Sequence, residues 1–303
     1  MSWLTDFAGR IEHDVPIGHR TWFRLGGRAR YLFKPRDAQD LAALVRRARQ
    51  ADVPVKVLGN GANVLICDDG FDGVVVRLDE GSFRQVEQRG TQVRVGAGVD
   101  LMVFARTCST QGLSGLECMA GIPATIGGAV KMNAGGRFGD FGSAVTHVQV
   151  LRRDGVIEDW PQERVRFGYR HTNLGDGIVL SATLALRQED PSQVRRKYDE
   201  NFAWKLRTQP MSENSAGCIF KNPAAGCSAG ALMDQAGLKG TRCGQARVSH
   251  RHANFIVADQ GATTRDVLRL IELMRERVRR LFDIELKVEV DIWGSKSHRD
   301  AKR

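Results

Sequence analysis

The sequence predicts an α+β protein, in parts at 1–78, 79–190 and 200–295 with a basic tail at 296–303. Three observations predict it. Asp37 to Leu78 reads as strand and helix periods around a glycine loop. Ser82 to Gly98 and His147 to Trp160 read as hairpins and Gly177 to Arg187 as a strand, with a helix and one long glycine-rich stretch between the two hairpins. Beyond Pro191, helical periods end in an alternating strand.

Taken in order, Thr21 to Phe33 is an extended entry segment with a Gly-Gly turn. Asp37 to Gln50 is helical, with Leu41, Leu44, Val45 and Ala48 on one face and arginines on the other. Val53 to Leu58 is a short buried strand that runs into the loop Gly59-Asn60-Gly61-Ala62-Asn63. Val64 to Ile66 and Gly73 to Leu78 are further strands, with a turn at Asp68-Asp69-Gly70 between them. Ser82 to Gly98 is a hairpin turning near Arg89-Gly90, and Asp100 caps a helix over Leu101 to Gln111. His147 to Trp160 is a second hairpin, and Gly177 to Arg187 a closing strand. Pro191 to Lys205 is a charged connecting helix, and Met211 to Ala229 is loop. Val248 to Ala258 reads as a strand. Thr263 and Asp266 form a capping box for a helix ending at Phe282, with Val267, Leu268, Ile271, Met274, Val278 and Phe282 as its apolar stripe. Leu286 to Trp293 is the last strand, with Val288, Val290 and Ile292 on one face and Glu289 and Asp291 on the other.

With 303 residues, 42% of them hydrophobic, the chain can bury two or three cores. No apolar run reaches the ~20 residues of a membrane span, and the first ten residues lack a secretory pattern. Six cysteines without a C-x-x-C pair argue against zinc and a disulfide scaffold, and read as reduced cytoplasmic thiols. The net charge of +10 suits anionic ligands, but reads first as a solvated surface plus the tail. Aromatic residues are not interleaved with basic ones, so no nucleic-acid module stands out.

The stretch from Gly115 to Gly136 (G-L-E-C-M-A-G-I-P-A-T-I-G-G-A-V-K-M-N-A-G-G) offers bare backbone rather than side chains. Such loops let a main chain approach a ligand closely, and their N–H groups form anion sites. With Gly59 to Asn63 it is expected to grip one phosphate-bearing cofactor. Neither loop is a Walker loop or a dinucleotide fingerprint. Tyr169-Arg170 offers a guanidinium fork for a carboxylate, or a surface arginine. Cys218 reads as a nucleophile, a proton donor or a packed thiol, with Lys221 and Arg207 near in sequence. Glu289 reads by pattern as solvent-facing.

These places occur together, in order, with T-W-F-R-L-G-G-R-A, L-G-N-G-A-N-V-L, G-C-I-F-K-N-P, A-G-L-K-G and L-K-V-E-V. From about Thr21 to Gly294 the chain resembles the UDP-N-acetylenolpyruvoylglucosamine reductases, flavoenzymes of peptidoglycan synthesis. The resemblance implies an FAD-binding fold of the vanillyl-alcohol-oxidase (PCMH) type and a C-terminal substrate domain. It assigns FAD contacts to Gly59, Asn60, Gly61, Ala62, Asn63, Gly121, Ile122, Pro123, Gly127, Gly128 and Ala129. The family usually has serine at position 62 and glycine at 124, where this chain has alanine. The implied reaction reduces UDP-N-acetylglucosamine enolpyruvate to UDP-N-acetylmuramate, with NADPH as reductant and FAD carrying the hydride. Arg170, Glu289 and Cys218 match its catalytic positions, Cys218 standing where most relatives have serine. Tyr169, Arg207, Lys221, Asn222 and His252 match its substrate region. Arg170 and Cys218 are 218 − 170 = 48 residues apart, which places the chain in the subtype lacking an extra tyrosine-bearing loop. A cytoplasmic monomer is expected, with a small-molecule substrate, no metal, and no nucleic-acid or membrane partner. The rivals are an alcohol or sugar oxidase of the same fold and a basic nucleotide-binding protein.

Overall fold

The computed structural model describes residues 2–7 and 9–294, so the basic tail at 296–303 lies outside the described residues. The chain divides into two units, each with its own core. The first comprises 1–13, 31–60 and 73–204, and the second 14–30, 61–72 and 205–303. The strands Ile11–Pro16, Arg28–Phe33 and Phe71–Val76 each carry the chain from one unit to the other.

In the first unit, helix α1 (Ala38–Gln50) starts where Asp37 accepts the Asp40 N–H, and it buries Leu41, Leu44, Val45 and Ala48 as its period predicts. Val55–Val57 runs parallel to Phe71–Val76, pairing Val55, Lys56 and Val57 with Val74, Val75 and Val76. A five-stranded antiparallel sheet has the order Ile157–Pro161, Val145–Leu151, Ile178–Ala185, Gln92–Gly96, Val86–Arg89. Both expected hairpins are therefore present. Helix α2 (Leu101–Thr110) is capped by Asp100, which accepts the Val103 N–H at 3.0 Å. Within the glycine-rich stretch lies a helix the sequence did not announce, α3 (Ile126–Met132), capped by Thr125. Helix α4 (Pro191–Thr208) follows, its residues to Trp204 in this unit and the rest in the second.

In the second unit, Val64–Ile66 pairs in parallel with Asp291–Trp293. Helix α5 (Ala229–Gln235) was also unannounced. Val248 to Ala258 is not one strand. It is two, Ala246–Val248 and Ile256–Ala258, which pair antiparallel across a polar turn. The turn is held by side chains: His252 Nδ1 accepts the Asn254 N–H at 3.1 Å, and Asn254 is itself buried. Helix α6 (Thr264–Phe282) carries the expected Thr263/Asp266 capping box. Its buried stripe is Val267, Leu270, Ile271, Met274 and Val278, with Leu268 at the margin. Each such side chain contributes roughly 1.5–3 kcal/mol of burial free energy. The expected strand from Leu286 shortens to Asp291–Trp293, preceded by an isolated bridge between Phe220 and Val288.

Candidate active site

In the first unit Gly59 and Asn60, the start of the first glycine loop, meet the second glycine-rich stretch. A Cβ on Gly59 would lie 2.6 Å from Thr125 Oγ1, so only glycine permits this approach. Asn60 Nδ2 donates to Asp100 Oδ2 at 2.7 Å and to the Ala124 carbonyl at 3.2 Å. Arg77 donates to the Gly59 carbonyl at 2.6 Å while its other nitrogens hold Asp79 at 2.9 Å. The Ile126 and Gly127 N–H groups donate to Val99 and Ala97, which fixes the start of α3 against the central sheet. None of the backbone N–H groups from Gly59 to Asn63 donates to another described residue. Ile122, Pro123 and Ala124 are half-buried, Ala124 beside Asn60. A loop clamped through its carbonyls and side chains, with its N–H groups uncommitted, fits an anionic group such as a pyrophosphate. Gly121 and Ala129 are buried, and Gly128 is exposed.

Arg170 also lies in the first unit, half-buried, in the two-residue turn between Phe167–Gly168 and His171–Thr172. Its φ is 54°, in the left-handed region that an arginine adopts at a cost. Its guanidinium carbon lies 5.3 Å from the centre of the exposed Tyr169 ring.

In the second unit, Cys218 follows Gly217, whose φ of 73° turns the chain into an extended segment. That segment is held on both edges. Along one, the Glu289 N–H donates to the Ile219 carbonyl at 2.7 Å and the Lys221 N–H to the Lys287 carbonyl at 2.9 Å. Along the other, Asn254 Oδ1 accepts the Phe220 N–H at 2.9 Å and its Nδ2 donates to the Phe220 carbonyl at 2.8 Å. Cys218 and Glu289 thus lie on adjoining antiparallel segments, both half-buried. Asn63 joins them, its Nδ2 donating to the Glu289 carbonyl at 3.2 Å. Glu289 is therefore less open than its alternating pattern suggests.

Of the expected substrate residues, Lys221 is half-buried, and Asn222 is exposed with its Oδ1 accepting the Ala229 N–H at 3.0 Å. Arg207 is exposed on α4. His252 packs on Phe255, ring centres 4.8 Å apart, and burial holds its imidazole below its ordinary value. Sequence reasoning missed Thr125, Asp100 and Arg77 as site-building residues. Thr125 before Ile126 is a legible N-cap signal; the reach of Arg77 to Gly59 has no local signal. Among the described residues no disulfide joins the cysteines, and no metal-binding cluster occurs.

Two family models match: an FAD binding domain over 29–160, and the C-terminal domain of UDP-N-acetylenolpyruvoylglucosamine reductase over 209–293. UDP-N-acetylenolpyruvoylglucosamine reductase 2 of Symbiobacterium thermophilum is 41% identical, over 94% of this chain and 93% of that protein. The chain belongs to the UDP-N-acetylenolpyruvoylglucosamine reductase family. The reductase of Moorella thermoacetica is 40% identical, over 96% of this chain and 98% of that protein. The crystal structure of the reductase from Thermus caldophilus superposes with a TM-score of 0.82 at 38% identity, covering 94% of this chain and 99% of that one. The PCMH-type FAD-binding fold expected for the family is therefore the fold of this chain, with the reductase C-terminal domain after it. No helix among the described residues is long and apolar enough to cross a membrane.

Proposed function

We infer that this chain is an FAD-dependent UDP-N-acetylmuramate dehydrogenase, which reduces UDP-N-acetylglucosamine enolpyruvate with NADPH in peptidoglycan synthesis. The observation that carries this reading is the 41% identity over 94% of the chain to a protein of that name. The match at 209–293 favours it over an alcohol or sugar oxidase, since that domain is the reductase's own.

FAD would be held by residues 59–63 and 121–129, its pyrophosphate on the uncommitted N–H groups of the first loop. When bound, it supplies the hydride for the vinyl carbon of the substrate, after taking it from NADPH. The remaining work belongs to the chain. As the vinyl CH2 gains hydride, the C=C electron pair moves toward the substrate carboxylate. Arg170 is assigned to that carboxylate, where its cation gains attraction as negative charge grows. Glu289 is assigned to the same group. A carboxyl beside an anion must be protonated or offset by a cation, and Arg170 supplies that offset. Cys218 Sγ is assigned to give its proton to the carbon next to the carboxylate, which completes the lactyl ether. A thiol carries a proton that it can give as a general acid. Tyr169, Arg207, Lys221, Asn222 and His252 are assigned to substrate, with Lys221 and Asn222 toward its pyrophosphate. The enzyme is proposed to work in the cytoplasm as a monomer.

The test is steady-state NADPH oxidation by the purified, flavin-loaded protein. Oxidation that depends on the enolpyruvyl substrate and yields UDP-N-acetylmuramate supports the reading. A protein that releases no flavin on denaturation, or oxidises NADPH no faster with that substrate, overturns it.

A further inference from the structure

The left-handed φ of 54° at Arg170 poses a question that the assigned chemistry does not answer. A two-residue hairpin turn with positive φ at its second position favours glycine. An arginine persists there only if the surroundings over-determine the backbone. Both legs of the hairpin are tied to the C-terminal end of α3. Asn133 is buried and itself left-handed, φ 42°, a conformation asparagine tolerates better than most residues. Its Nδ2 donates to the Gly168 carbonyl at 3.1 Å, on the leg entering the turn, while its Oδ1 accepts the Gly142 N–H at 2.9 Å. On the leg leaving the turn, the buried Thr172 hydroxyl donates to the Lys131 carbonyl at 3.0 Å. Lys131 Nζ donates to the Gly175 and Gly177 carbonyls just beyond. The opposite end of the same seven-residue helix is Thr125, the residue on which Gly59 packs. One short helix therefore joins the glycine loop to the turn that carries Arg170.

We propose that Asn133, with Thr172, is the positioning residue for Arg170, setting the guanidinium against the loop that holds the cofactor. The proposal rests on the catalytic role assigned to Arg170. Asn133 touches none of the reacting atoms in this account; it acts by holding Gly168 in place. A misplacement of about 1 Å can cost on the order of 100-fold in rate.

The experiment compares Asn133→Ala, Asn133→Asp, Thr172→Val, Arg170→Ala and the double variant Asn133→Ala/Arg170→Ala. Flavin content, flavin reduction by NADPH, and reoxidation by the enolpyruvyl substrate are measured separately. Asn133→Ala is expected to keep its flavin and its reduction rate, and to slow reoxidation on the order of 10- to 100-fold. Asn133→Asp keeps the acceptor for Gly142 but loses the donor to Gly168, and should slow the same step. The double variant should be no slower than Arg170→Ala alone, because the second loss acts through the first. Reoxidation at the parent rate in Asn133→Ala, or losses that multiply in the double variant, would overturn the proposal. Should Asn133→Ala not fold, Thr172→Val decides: slowed reoxidation supports it, and an unchanged rate overturns it. If Arg170→Ala reoxidises as fast as the parent, the assignment of Arg170 fails and the proposal falls with it. A parent protein that the substrate never reoxidises instead defeats the reductase reading itself.

Discussion

Asn254→Ala is the substitution whose effect follows most directly from the structure. Asn254 is 2% exposed and Phe220 1%. The amide of Asn254 satisfies both peptide groups of Phe220, at 2.9 and 2.8 Å, as a neighbouring strand would. Truncation removes both hydrogen bonds and leaves a buried N–H and a buried carbonyl without partners. Each unsatisfied group costs about 1–3 kcal/mol, so the sum is about 2–6 kcal/mol. Urea unfolding followed by circular dichroism should show this as a lower midpoint with an unchanged slope. Asn254→Asp sharpens the test. It keeps the acceptor for the Phe220 N–H but places carboxylate oxygen where the carbonyl needs a donor. It should be destabilised at neutral pH and regain part of the loss as the pH falls toward about 4, where a carboxyl protonates and can donate. Because Phe220 lies two residues from Cys218, turnover should fall with stability. A loss under about 1 kcal/mol in Asn254→Ala would refute the reasoning, since it would mean that the Phe220 peptide finds other partners.

Other substitutions test other parts of the account. Cys218→Ala should leave flavin reduction by NADPH intact and stall reoxidation, whereas Cys218→Ser should retain substantial turnover; unchanged turnover in Cys218→Ala would remove it as proton donor. Gly59→Val, which forces a side chain into the 2.6 Å gap to Thr125 Oγ1, should lower flavin content several-fold, read from the ratio of flavin to protein absorbance. Burial first, and then the Lys239 ammonium, hold the His252 imidazole below 6.5. The unfolded chain therefore takes up a proton near that pH that the folded protein refuses, so the stability is present above about pH 6.5 and lost as the pH falls below it. His252→Gln should flatten that part of the stability curve, and an unaltered slope would contradict this. Burial pushes the Cys67 and Cys108 thiols up to about 11 and about 12, so iodoacetamide at pH 8 should label neither until the protein unfolds.

Elements with a long period and a cap were legible in the sequence. Helices α1, α2 and α6 begin at Asp37, Asp100 and Thr263, where side-chain chemistry places their starts. Helix α3 was not legible. Its seven residues include two glycines and complete no apolar stripe, and its start is fixed by hydrogen bonds to Ala97 and Val99. Val248 to Ala258 reads as one strand because its ends are apolar, but His252 and Asn254 turn the chain through contacts that no local pattern reveals. In the candidate site, the residue types were visible as motifs. Their supports were not: Arg77 on Gly59, Asn133 on Gly168 and Asn254 on Phe220 bridge 18, 35 and 34 positions in sequence. The glycine-rich stretch supplies geometry, as its composition suggests, but it does so at both ends of α3.

The central claim is that a bound flavin passes reducing equivalents from NADPH to an enolpyruvyl ether of a UDP-sugar. Stopped-flow absorbance of the flavin tests it in a single experiment. The account predicts that anaerobic NADPH bleaches the flavin band and that the enolpyruvyl substrate restores it, with one lactyl ether formed per flavin. A flavin that NADPH bleaches but only oxygen restores would contradict the account.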